Sequence, residues 1–202
     1  MASVRSSFLI FSFVVLLLVA CDAGAQKSRA PENLVRSSCI HASYPKVCIR
    51  TLSAYPGPAR TPYDLARKAV SVSHNRARKT SKYLAQVKAQ KWGSKKAKAA
   101  LRDCLEQLSD SAAELSDTLK ELGQLRSGSF RWRMNNAETW VSAALTDEDT
   151  CLDGIGEIRG GGSDSDLKVI KTDVRRRIKN VAKVTSNALY LINRLDASRG
   201  KP

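Results

Sequence analysis

Nine apolar residues near the C-terminus, Leu167, Ile170, Val174, Ile178, Val181, Val184, Ala188, Leu191 and Leu195, recur at spacings of three and four. That spacing draws one apolar stripe down a helix roughly 40 Å long, and no strand can use it, because side chains of a strand alternate with period two. A stripe of that length needs partners of equal length, and the sequence supplies three. Leu101, Leu105, Leu108, Ala112, Leu115, Leu119 and Leu122 mark a helix from about Lys95 to Leu122. Val141, Ala144, Leu145, Leu152, Ile155 and Ile158 mark another from roughly Asn136 to Arg159. A looser stripe, Leu65, Ala69, Val72, Leu84 and Val87, follows a strong helix start at Thr61-Pro62-Tyr63-Asp64 and runs towards Trp92. The breaks are Gly93-Ser94, Gly123 to Ser129, and Gly160-Gly161-Gly162-Ser163, after which Asp164 and Asp166 favour a new helix N-terminus. Four long helices with short connections predict an all-α chain, an up-down-up-down four-helix bundle.

Upstream of the bundle the chain changes character. Residues 1–25 have the parts of a secretory signal peptide: Arg5, an apolar core from Phe8 to Ala20, and a small-residue cleavage site at Ala23-Gly24-Ala25. The apolar core is shorter than the roughly 20 residues that span a bilayer, so no membrane association is expected once the leader is removed. Cys21 leaves with the leader, and Cys39, Cys48, Cys104 and Cys151 stay, the even set of an exported disulfide framework. Four cysteines allow three connectivities. Cys39 and Cys48 are near enough to close a small loop around Tyr44-Pro45, and Cys104 and Cys151 lie on helices that an antiparallel bundle can bring within bridging distance. Ala54 to Pro62, with three prolines and a glycine, reads as a linker between this small N-terminal unit and the bundle.

Several functions are excluded by what accompanies these patterns. Two histidines, His41 and His74, show neither a nucleophile motif nor metal-ligand spacing, so no catalysis, metal or cofactor is expected. Gly160 to Gly162 follows no strand and is a helix stop rather than a phosphate loop. The net charge is +15, but no stacking aromatics, zinc spacing or helix-turn-helix pattern goes with it, so nucleic acid is not the expected partner. A secreted cation meets anionic polysaccharide or acidic protein first.

The charge is unevenly placed. Arg60 to Arg102 holds thirteen basic residues against Asp64 alone, whereas Asp103, Glu106, Asp110, Glu114, Asp117 and Glu121 recur at spacings of three or four beside the leucine stripe. Solvated helix faces usually mix Glu and Lys at these spacings; like charges stacked in one stripe mildly destabilise a helix, which makes the stripe a candidate docking face for a basic partner.

The residues around the cysteines resemble a known family. Cys39-Ile40-His41-Ala42-Ser43-Tyr44-Pro45-Lys46-Val47-Cys48, Leu101-Arg102-Asp103-Cys104, Trp140-Val141-Ser142-Ala143-Ala144-Leu145-Thr146 leading into Asp149-Thr150-Cys151-Leu152-Asp153-Gly154, and Val184-Thr185-Ser186-Asn187-Ala188-Leu189 are similar to motifs of the plant invertase and pectin methylesterase inhibitors, in the family's order. The resemblance implies bridges Cys39–Cys48 and Cys104–Cys151, an N-terminal helical hairpin and linker over 26–60, a bundle over 61–202, and one inhibitor domain over 26–202. It implies a secreted protein of the plant cell wall that blocks pectin methylesterase by covering its pectin-binding cleft in a 1:1 complex, with Glu106, Asp110, Thr150 and Asp153 at the interface. Two alternatives remain: inhibition of an invertase, or a basic wall protein that contacts the pectin polyanion and has no enzyme target. Invertase inhibitors of the family carry Pro-Lys-Phe before the third bundle helix, where this chain has Ser127-Gly128-Ser129-Phe130-Arg131-Trp132. The resemblance also implies a basic target, so a +15 inhibitor meets long-range repulsion; with a Debye length of around 10 Å, a local acidic stripe can still prevail. No catalytic domain follows, and a free-standing inhibitor is expected.

Overall fold

A computed structural model describes residues 33–55, 57, 59–87, 94–158 and 165–199. The expected leader with Cys21, the stretch through Trp92 to Gly93, and the Gly160–Gly162 stop with Asp164 lie outside them. The described residues form six α-helices: α1 over 33–39, α2 over Pro45–Ala54, α3 over Pro62–Gln86, α4 over Lys95–Gly123, α5 over Phe130–Gly156 and α6 over Ser165–Arg199.

Local chemistry sets most of the helix ends. At α3, Thr61 Oγ1 accepts from the Asp64 amide at 3.1 Å, and Asp64 Oδ2 accepts from the Thr61 amide at 3.1 Å, a capping box with Pro62 at the first helical position. Ser94 caps α4 by accepting from the Ala97 amide. No side chain caps α5; it grows out of a 3-10 turn at Ser127–Ser129 and starts at Phe130, earlier than the Asn136 start read from the sequence. The reason is Met134, fully buried between exposed Trp132 and Asn135, which anchors a first turn that the main apolar stripe does not show.

α3, α4, α5 and α6 form the bundle in ring order: α3 packs on α4 and α6, and α5 packs on α4 and α6, the α4–α5 seam being the most extensive. Two apolar cores fill it. One joins the N-terminal hairpin (Val35, Cys39, Cys48, Leu52) to Leu65, Val70, Leu115, Met134, Val141 and Ile192. The other gathers Leu84, Leu101, Leu108, Ile155, Val174 and Ile178 at the opposite end. A polar layer lies where they meet. Glu148, between Ala144 of the first core and Cys151 of the second, is fully buried, and its Oε1 accepts from Ser111 Oγ at 2.7 Å on α4 and Thr185 Oγ1 at 2.9 Å on α6. Burial pushes its pKa up to about 8, against the pull of those two hydroxyls.

The hairpin of α1 and α2 is closed by Cys39–Cys48, with Cα atoms 5.6 Å apart. α6 holds it through several side chains: Asn187 Oδ1 accepts from the Tyr44 amide at 2.9 Å and Asn187 Nδ2 donates to the Tyr44 carbonyl at 3.1 Å, Arg194 donates to the Ser37 carbonyl at 3.4 Å, and Lys183 lies over the Tyr44 ring. The proline-rich linker is tied down as well. Gly57 adopts φ +87°, a conformation that L side chains rarely take, and its carbonyl accepts from Lys68 Nζ at 2.7 Å. Tyr55 Oη is hydrogen-bonded to Ser71 Oγ at 2.7 Å.

Candidate functional site

Ring order turns the uneven charge of the chain into two unlike sides. α3 and α6 are neighbours and together hold fifteen Lys and Arg against four Asp and Glu; α4 and α5 hold seven against eleven. The basic contribution of α6 to the α3 side cannot be foreseen without knowing which helices touch.

On the acidic side, the bridge Cys104–Cys151 joins α4 to α5 with Cα atoms 4.3 Å apart. It brings the four expected interface residues to one neighbourhood: Glu106 lies two residues past Cys104, and Thr150 and Asp153 flank Cys151. All four of Glu106, Asp110, Thr150 and Asp153 are exposed. The Thr150 hydroxyl donates back to the Thr146 carbonyl at 2.8 Å, which leaves its lone pairs outward.

The six carboxylates of the α4 stripe do not behave alike. Glu121 is taken up within the fold by Arg133 at 2.9 Å and Asn136 at 3.4 Å, and Asp117 by Lys120 at 2.6 Å. Asp103 has an exposed ion pair with Arg102 at 3.5 Å. Glu106 and Asp110 pair with no cation among the described residues, and neither do Asp149 and Asp153 on α5. Glu106 and Asp110, just past Cys104, are therefore exposed carboxylates of the stripe that no cation among the described residues offsets.

The structure adds groups that sequence reasoning missed. Glu114 and Asp147 are hydrogen-bonded carboxyl to carboxyl across the α4–α5 seam. Burial first, then the Asp147 charge, pushes Glu114 up to about 7, and burial raises Asp147 too. Glu114 Oε2 is buried with no donor facing it, which, with the raised pKa, favours the protonated form of Glu114 as donor to Asp147. Trp140, 38% exposed, lies four residues after Asn136 and seven before Asp147, on the edge of α5 that those two contacts turn towards α4. Trp132 at the start of α5 is 69% exposed. Exposed tryptophans are what protein interfaces favour. Phe130, by contrast, packs against the hairpin-end core.

Among the described residues no cluster of three or more His, Cys, Asp or Glu could hold a metal ion, and no helix is long and apolar enough to cross a membrane. The arrangement suits binding: a rigid, disulfide-pinned surface with carboxylates that the fold leaves unpaired.

Residues 33–191 match the family described as plant invertase/pectin methylesterase inhibitor. The chain is 47% identical to "Pectinesterase inhibitor 3" of Arabidopsis thaliana, over 100% of this chain and 98% of that protein. It is 39% identical to a "21 kDa protein" of Daucus carota, over 95% of each chain, and 37% identical to "Pectinesterase inhibitor 9" of Arabidopsis thaliana, over 95% and 94%. Its fold matches the crystal structure of a mutant form of a pectin methylesterase inhibitor from Arabidopsis with a TM-score of 0.59, at 22% identity, over 77% of this chain and 92% of that one. The chain belongs to the plant invertase/pectin methylesterase inhibitor family.

Proposed function

We propose that the protein is a secreted inhibitor of pectin methylesterase that docks through the α4–α5 side and has no catalytic activity of its own. The observation that carries this is the patch of Glu106, Asp110, Asp149 and Asp153, unpaired among the described residues and held around the Cys104–Cys151 bridge. Such a patch complements a basic enzyme surface, and because the bridge fixes it beforehand, little conformational entropy is lost on docking. The pectinesterase target, rather than invertase, follows the names of relatives that align along nearly the whole chain. The connection before α5 points the same way: Phe130 packs inward and no Pro-Lys precedes it. The setting is the plant cell wall, reached by the leader read in residues 1–25. The basic α3–α6 side is a separate surface, and its chemistry suits the pectin polyanion.

Titrating the purified protein against a plant pectin methylesterase and, separately, a cell-wall invertase tests the reading. Esterase activity is expected to fall to its floor at one inhibitor per enzyme, with invertase untouched. Loss of invertase activity alone would reverse the assignment.

A further inference from the structure

On the side away from the acidic patch, the fold builds a cationic trough and supplies almost no anion to it. One hollow of about 530 Å³ lies between α2 and α3 and includes Arg50, Thr51, Arg76 and Lys79 in its lining. A second, of about 300 Å³, lies between α3 and α6 and includes Arg76, Lys79, Arg176, Arg177 and Asn180. They share Arg76 and Lys79 as lining residues, so the two hollows lie side by side from α2 across α3 to α6. The nearby carboxylate, Asp173, is already occupied by Arg176 and Arg177, and Arg177 also stacks on the Tyr83 ring at 3.9 Å. Arg50, Arg76 and Lys79 have no carboxylate partner among the described residues.

Arg76, at the junction, separates this trough from an ordinary solvated face. Its guanidinium is only partly exposed, yet it is held by neutral acceptors alone, Asn180 Oδ1 and, at 3.3 Å, Thr51 Oγ1. Burial and the neighbouring Arg50 charge both lower its pKa, as expected of a cation without a counter-charge. A guanidinium has five N–H donors, so donors remain for an incoming anion, and their fork matches a carboxylate in bidentate fashion. Cations strung along a trough fit a linear polymer with repeated carboxylates better than they fit a single small ion. The enzyme assigned to the opposite side makes such a polymer, because hydrolysis of a pectin methyl ester leaves a sugar carboxylate and releases methanol.

We propose that the trough formed by α2, α3 and α6 binds de-esterified pectin, so that one molecule holds the esterase on one side and that enzyme's product on the other. The choice of polymer rests on the function proposed above; the binding itself does not require an esterase. The test measures binding of the purified protein to polygalacturonate, to fully methyl-esterified pectin and to phosphatidylserine vesicles, at low and physiological salt. Lys79→Glu with Arg176→Glu alters two exposed lining residues. Lys95→Glu with Lys98→Glu makes the same charge change at exposed positions of α4, outside the trough. Thermal melts establish that both variants fold. Binding to polygalacturonate but not to the ester is expected, weaker with salt, and reduced on the order of tenfold in the trough variant against less than about threefold in the control. Equal losses in both variants, equal binding to esterified pectin, or tighter binding to the vesicles would overturn the proposal. No esterase enters the measurement, so its failure leaves the inhibitor reading to its own titration.

Discussion

Glu114 on α4 and Asp147 on α5 are hydrogen-bonded carboxyl to carboxyl, with Asp110 close enough for its charge to raise the pKa of both. For an acid whose folded pKa lies above its unfolded value, the folded chain holds the proton more tightly. The stabilisation is then complete below the ordinary Glu value of 4.5 and lost as pH rises towards about 7. Glu114→Gln keeps a neutral partner for Asp147, so the melting temperature of this variant should fall less between pH 5 and pH 7.5 than that of the parent. Identical slopes would show that Glu114 is not the protonated donor.

Glu148 should make the larger contribution with the same sign, over a window from about 4.5 up to about 8. Its ionisation inside the bundle should cost on the order of a few kcal/mol. Glu148→Gln preserves an acceptor for Ser111 and Thr185 without the charge. Melts recorded at pH 5 and pH 8.5 are expected to lie well apart for the parent and close together for this variant. An unchanged pH dependence would mean that Glu148 ionises without penalty.

Replacing Cys104 and Cys151 together by Ala opens a loop with a sequence separation of 47. Chain entropy sets the loss at about 4 kcal/mol as an upper figure. Calorimetry should register a fall in melting temperature of roughly 8–16 °C for a domain of this size. A change of only a degree or two would show that the α4–α5 packing holds without the bridge.

Glu106→Lys with Asp110→Lys reverses two exposed charges that pair with nothing among the described residues. Stability should change by less than about 1 kcal/mol, whereas esterase inhibition should weaken by about tenfold or more. Undiminished potency in a folded double variant would remove this end of α4 from the interface.

Asn187→Ala deletes both hydrogen bonds that join α6 to Tyr44. The expected cost is about 1–3 kcal/mol, felt mostly as opening of the hairpin. Limited proteolysis should cut near Tyr44 sooner in the variant while the bundle stays intact; equal cutting rates would show that the core, with Arg194 and Lys183, seats the hairpin without Asn187.

The sequence is most informative where periodicity is long and uninterrupted. The stripe from Leu167 to Leu195 and the leucines of α4 announce their helices directly, and Thr61-Pro62-Tyr63-Asp64 marks the start of α3 within a residue. The bridges implied by the cysteine motifs are the ones present. What stayed hidden depends on which helices are neighbours. Asp147-Glu148-Asp149 reads as one acidic run, but the helix sends Glu148 into the core, Asp147 to the seam and Asp149 outward. The trough at Arg76 likewise needs α6 beside α3, which no local pattern states.

The Asn187–Tyr44 fastening also fixes an order of events. Tyr44 is synthesised 143 residues before its partner. At about 5–20 residues per second, the hairpin waits roughly 7–30 s before α6 exists to receive it. During that interval the segment around Cys39 and Cys48 lacks its final seat, so the hairpin is made long before it can dock and α6, the last helix made, acts as its latch.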